Sequence, residues 1–244
     1  ERRLERPRDF FLPPEWDAAR DRLMAANVPP PLYRGQRGPV TFATSIYGAE
    51  AFLLLALDNP TLTARLRDLI LRGMLARAGV LDAEAGHTPA TAPHGFSFAD
   101  DNCCLMTPMM YEDFAFPILK GIFAVYSPAP TYTRYQHSDS AMGHLLPILG
   151  RLDLTGTNFG PTVGVADIRR HLPRAVIHGE LAPFTYSRND ETGIVMEFLR
   201  DHAHLRETRG LCFTTAGSIN NGTRLTSMRL AMAAIQRYGR FAAL

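Results

Sequence analysis

What most constrains this chain is an alternation. Short apolar or β-branched stretches and helical stretches follow one another about six times, with brief connections between them. Each helix must return the chain to the start of the next strand, so the strands run parallel, in a closed barrel or an open α/β sheet. Strands are expected at Gly38–Ser45, His94–Ala99, Arg134–Asp139, Leu154–Phe159, Ala175–Glu180 and Gly210–Ala216. Helices are expected at Glu15–Ala26 (ended by Pro29, Pro30 and Pro31), Gly48–Leu57, Val165–His171, Glu191–Glu207 and Arg224–Tyr238. Two more open at Asn59-Pro60 and Thr107-Pro108, a capping residue followed by proline at the first helical position. The Asn59 helix carries an apolar stripe of Leu62, Leu66, Leu69, Ile70 and Met74.

The third strand and the segment directly after it organise the rest. Alternation puts Thr133, Tyr135, His137 and Asp139 on one side, with Arg134, Gln136 and Ser138 on the other. Met142, Leu145, Leu146 and Leu149 then recur at helical spacing, with Asp139 or Ser140 where a cap belongs. A polar His-x-Asp at the mouth of a strand is where parallel α/β proteins place their chemistry. Other strands also end in polar groups: Ser45/Tyr47, Asp100/Asp101, Asn158, His178/Glu180 and, more weakly, Thr215/Ser218. In a parallel barrel these ends share one face.

Composition narrows the chemistry. The formal net charge is +2 with arginines spread throughout, which excludes the concentrated basic face of a nucleic-acid binder. No apolar run has the length of a membrane span. Lys120 is the only lysine and lies in a helical stretch, which argues against a Schiff base. Neither a phosphate-binding Gly-rich loop nor a dinucleotide fingerprint occurs. Cys103, Cys104 and Cys212 form no disulfide framework, Cys103 and Cys104 are expected to be small buried residues, and a reducing cytoplasm is expected.

Several segments together resemble the uroporphyrinogen decarboxylase superfamily, which includes the corrinoid- and coenzyme M-type methyltransferases. They are Gly38-Pro39-Val40-Thr41, Asp58-Asn59-Pro60, Phe98-Ala99-Asp100-Asp101 followed by Thr107-Pro108 and Phe114, His137-Ser138-Asp139, Ile177-His178-Gly179-Glu180-Leu181-Ala182-Pro183, and Ala216-Gly217-Ser218. The resemblance covers roughly residues 35–240 and implies a (βα)8 TIM-type barrel. About six units are visible in a barrel domain over 38–244. Residues 1–37 read as an irregular or helical remnant, with the first units missing.

Departures from the family pattern decide between its branches. The arginine-bearing N-terminal motif and the last-loop histidine of the decarboxylases are absent, and Ala182 replaces an aspartate. The zinc methyltransferases use His-x-Cys plus a later cysteine; here stand His137, Asp139 and, in the last loop, Gly217 or a neighbour. The resemblance therefore implies methyl transfer with a corrinoid or thiol partner. Decarboxylation of uroporphyrinogen or another polycarboxylate is the first alternative, and a non-catalytic ligand-binding barrel the second. Asp139, His137 and Glu180 are the expected catalytic groups and the expected ligands of a zinc ion, since imidazole and carboxylates both bind it. Tyr47, Phe98, Asp100, Tyr135, Asn158, His178 and Ser218 are the expected substrate contacts. A homodimer is expected, with neither nucleic acid nor membrane as partner.

Overall fold

The computed structural model describes residues 1–30, 32 and 34–240; Pro31, expected to help end the first long helix, lies outside them. Six parallel strands pair in sequence order: β1 (Gln36–Arg37), β2 (Phe96–Ala99), β3 (Arg134–Ser138), β4 (Gly156–Phe159), β5 (Val176–His178) and β6 (Leu211–Cys212). Among the described residues β1 and β6 do not pair with each other, so the sheet is a partial TIM-type barrel. Helices fill the intervals: α1 (Pro7–Phe11), α2 (Trp16–Ala25), α3 (Pro39–Tyr47), α4 (Ala49–Asp58), α5 (Pro60–Glu84), α6 (Pro108–Tyr126), α7 (Leu146–Leu149), α8 (Val165–His171), α9 (Pro183–Ser187), α10 (Glu191–Leu205) and α11 (Leu225–Tyr238). No single described helix is long and apolar enough to cross a membrane.

Alternation along the strands sets the two faces. Phe96 and Phe98 of β2 face the helices, where Phe98 packs against Phe123 of α6 and is 3% exposed. Burying such a ring contributes about 2–3 kcal/mol. Gln136 and Ser138 of β3 share this buried side. The other face carries Arg37, Ala99 and His137 in one row by register, continued by Asn158 of β4. Met142, Leu145, Leu146 and Leu149 are all buried, as their spacing predicts. The helix they occupy is shorter than expected, a 3-10 turn at Gly143–Leu145 leading into α7.

The caps read from the sequence form. Asn59 accepts from the Leu62 N–H and Thr107 from the Met110 N–H, starting α5 and α6. The N-terminal segment is clamped onto α5 by one carboxylate. Glu84 accepts from Arg8 Nε at 2.6 Å, Trp16 Nε1 at 2.7 Å and Arg20 Nη1 at 3.2 Å. The Arg8 guanidinium holds that carboxyl below its usual range.

One expected strand is a helix. Gly38–Ser45 is not β structure; Pro39–Tyr47 is α3, and the strand lies just before it at Gln36–Arg37. The β-branched residues here suggested a strand, but tertiary contacts outweigh such propensity. Pro39 fits the first helical turn, and the fully buried Asp100 carboxylate accepts from the Thr41 N–H at 2.7 Å and the Val40 N–H at 3.4 Å. A buried acceptor thus satisfies the free donors of the helix start.

Candidate active site at the strand ends

Three side chains converge where β2 and β3 end. One ligand-capable atom each from Asp101, His137 and Asp139 lies within 4.8 Å of the others. His137 and Asp139 come from alternate positions of β3 and its exit, as parity predicts. The His137 Nε2 is 3.4 Å from Asp139 Oδ1. Asp101 reaches across from the neighbouring strand end, where its Oδ1 accepts the Asp139 backbone N–H at 2.8 Å. Asp139 caps no helix, and Ser140 bonds instead to the Ser138 hydroxyl.

The hydrogen bonds around Asn158 fix the state of His137. The Asn158 Nδ2 donates to the His178 carbonyl at 2.6 Å and to the Thr215 carbonyl at 3.4 Å, so its Oδ1 must be an acceptor. That oxygen lies 2.8 Å from His137 Nδ1, which therefore carries a proton. In the neutral ring Nε2 then carries the lone pair, 3.4 Å from Asp139 Oδ1. This is the arrangement in which imidazoles bind metals or accept protons. Burial, opposed in part by His137 and reinforced by Asp101, raises the Asp139 pKa above the usual aspartate value.

Two glycines let the loops close on the cluster. Gly179 has φ of 110°, and a Cβ there would stand 2.6 Å from the Asn158 amide nitrogen. Gly217, in the loop after β6, has φ of 87°, and a Cβ there would stand 2.5 Å from Asp139 Oδ2. The position where a late ligand was expected is therefore beside the cluster, but as a residue with no side chain.

Not every expected residue arrives. Glu180 is absent from the group. The left-handed turn at Gly179 breaks the alternation that would have kept it beside His178, and Glu180 lines a separate cavity with Asp201 and Arg200 of α10. Asp100 faces the helices and holds α3; burial pushes its pKa up to about 6, opposed in part by the Thr41 N–H. Phe98 is in the helix-side core. Tyr47 ends α3 half exposed rather than following a strand, and Ser218 is exposed in the last loop. Tyr135 and His178 pack edge to face with centroids 5.8 Å apart. Cys103 is buried, Cys104 partly buried and Cys212 exposed, all with free thiols.

Of the two adjacent aspartates at the end of β2, Asp100 was the expected contact, but Asp101 is the one in the cluster, and its signal was available. Phe96, Phe98 and Asp100 share one parity, while Ser97, Ala99 and Asp101 share the other, which is that of His137 across the ladder. Extending to β2 the alternation seen on β3 selects Asp101 of the two adjacent aspartates.

No protein-family model and no curated protein matches the chain. Among solved structures, a methyltransferase from Methanosarcina mazei superposes with a TM-score of 0.66 at 17% identity, over 84% of this chain and 58% of its own. The chain thus spans little more than half of that structure's length, and at this identity the likeness is one of fold: six βα steps of a parallel barrel.

Proposed function

We propose that the chain is a barrel enzyme of the uroporphyrinogen decarboxylase superfamily, of its methyl-transferring kind, with a divalent metal site formed by His137, Asp139 and Asp101. The observation that carries the reading is the fixed tautomer of His137. With Nδ1–H held by Asn158, Nε2 offers its lone pair beside the Asp139 carboxylate without a tautomer change. One imidazole and two carboxylates suit zinc with a fourth position left for substrate. A metal bound there would supply Lewis-acid activation of the acceptor, more suited to oxygen than to sulfur because no thiolate belongs to the set.

The chain's own groups prepare the place. Asp101 anchors the backbone of Asp139 and so fixes the spacing of the two carboxylates. Gly217 leaves the outer side of Asp139 without a covering side chain. Tyr135 and His178 form an aromatic wall on the strands that carry the site, against which the non-reacting part of a substrate would lie. The partial exposure of the cluster suits a methyl group delivered by a corrinoid carried on another protein. The fold-level likeness to the Methanosarcina mazei methyltransferase agrees with this choice.

Decarboxylation of a polycarboxylate is the second reading. It is favoured by Arg37, which register places in the row of Ala99 and His137, where a guanidinium would bind a substrate carboxylate. The test supplies zinc-loaded protein with reduced cobalamin and methyl donors, and in parallel with uroporphyrinogen. Methyl-cobalamin turnover that depends on His137 supports methyl transfer; carbon dioxide release from uroporphyrinogen supports the second reading. Metal retained at full stoichiometry in His137→Ala would overturn the site.

A further inference from the structure

The other face of the sheet holds a second polar site. A cavity of about 300 Å³ lies between the loop after β4, the start of α8 and one side of α10, and Glu180, Arg200 and Asp201 line it. Glu180 is 2% exposed and Asp201 1% exposed. Neither Glu180 carboxylate oxygen has a hydrogen-bond partner, nor does Asp201 Oδ2. The Phe159 N–H is close enough to Glu180 to ease its burial only in part. The guanidinium of Arg200 is already engaged, donating from Nε to Asp201 Oδ1 at 2.8 Å.

Three buried carboxylate oxygens without a donor are costly: they give up water, and the Arg200 bond to Asp201 Oδ1 and the nearby Phe159 N–H compensate only in part. The wall therefore has an excess of acceptors facing a space of roughly ten water volumes. An anion or an apolar ligand would leave those acceptors unsatisfied; a cation would satisfy them.

We propose that this cavity is a binding site for a small hard divalent cation of the magnesium or calcium class, held by Glu180 and Asp201 and completed by water. Asp167 and His204 also line the cavity, and carboxylates favour such hard ions, magnesium in particular binding through one or two of them while keeping several waters. Burial pushes the Glu180 pKa up to about 9, so near neutral pH the ion would displace a proton from this carboxyl. The site is independent of the rim cluster, from which Glu180 is turned away by Gly179.

The test is calorimetric titration and thermal unfolding of the full chain with magnesium, calcium and manganese chlorides. His137→Ala, which lacks the rim site, is compared with the same variant carrying Glu180→Gln or Asp201→Asn. Saturable binding of at least one ion is expected in His137→Ala, weakened about tenfold or more when Glu180→Gln or Asp201→Asn is added. Proton release near neutral pH, read from buffers of different ionisation enthalpy, should accompany it and vanish in Glu180→Gln. In that background, binding that survives Glu180→Gln, or no binding of any of the three ions, would each overturn the proposal. None of these outcomes bears on methyl transfer at the rim, so the two sites stand or fall separately.

Discussion

The two carboxylate groupings at the ends of these strands use the same residue types in opposite ways. At the rim, Asp101 is partly and Asp139 largely exposed, and both lie beside a histidine whose tautomer is fixed by Asn158. Behind the sheet, Glu180 and Asp201 are buried beside a cavity, and both Glu180 oxygens and Asp201 Oδ2 lack a hydrogen-bond partner. Distance in sequence does not separate the groups; the direction of the backbone does. Asp100 and Asp101 are neighbours, yet one is walled into the start of α3 and the other reaches the rim. A carboxylate that is hydrogen-bonded and half open can do chemistry at little cost to the fold. One that is buried must be satisfied by structure, by a proton or by an ion.

This contrast predicts that rim substitutions change chemistry and leave stability nearly intact, with the reverse behind the sheet. The largest effect is expected from His137→Ala. Metal affinity and turnover should fall by more than the ~10–100-fold that loss of an outer partner costs, with the urea midpoint almost unmoved. An equal loss of stability would erase the distinction between the regions. Asp100→Ala should do the opposite and destabilise by about 2–4 kcal/mol in urea unfolding, because the buried N–H groups of Val40 and Thr41 lose their acceptor. Its folded form should still bind metal.

Asn158→Ala sharpens the rim half of the comparison. Releasing His137 Nδ1 should lower metal affinity about 10–100-fold without removing a ligand. The smallest expected effect concerns Glu180, whose pKa rises from 4.5 to about 9 on folding. Between those values the unfolded chain binds fewer protons than the folded one, so stability falls as pH rises through that window and is greatest below it. Glu180→Gln should flatten this dependence and stabilise the ion-free protein by on the order of 1–3 kcal/mol near neutral pH. Urea unfolding in chelator at pH 5 and pH 8 measures it; a slope unchanged by the substitution would mean that Glu180 is not the titrating group.

How much of the site was legible in the sequence differs from strand to strand. On β3 the alternation was unbroken, so the pairing of His137 with Asp139 followed directly from parity. On β2 the same rule holds, but two adjacent aspartates made the choice between faces easy to misassign. After β5 the rule stops applying, because Gly179 takes a left-handed conformation that turns the next side chain to the opposite side. Over Gly38–Ser45 local propensity pointed to a strand, and a carboxylate some sixty residues away in sequence made it a helix.

The sequence by itself determined the alternating α/β plan, the caps at Asn59 and Thr107, the buried stripe of Met142, Leu145, Leu146 and Leu149, and the His137–Asp139 pair, whereas Leu62 of the Asn59 stripe is exposed. All of these depend on periods and neighbours within a few residues. Only the tertiary structure decided that Asn158 fixes the imidazole and that Glu180 lines a different cavity. Those outcomes depend on register between strands and on one glycine's backbone angle, which bring together groups far apart along the chain and leave no periodic trace in it.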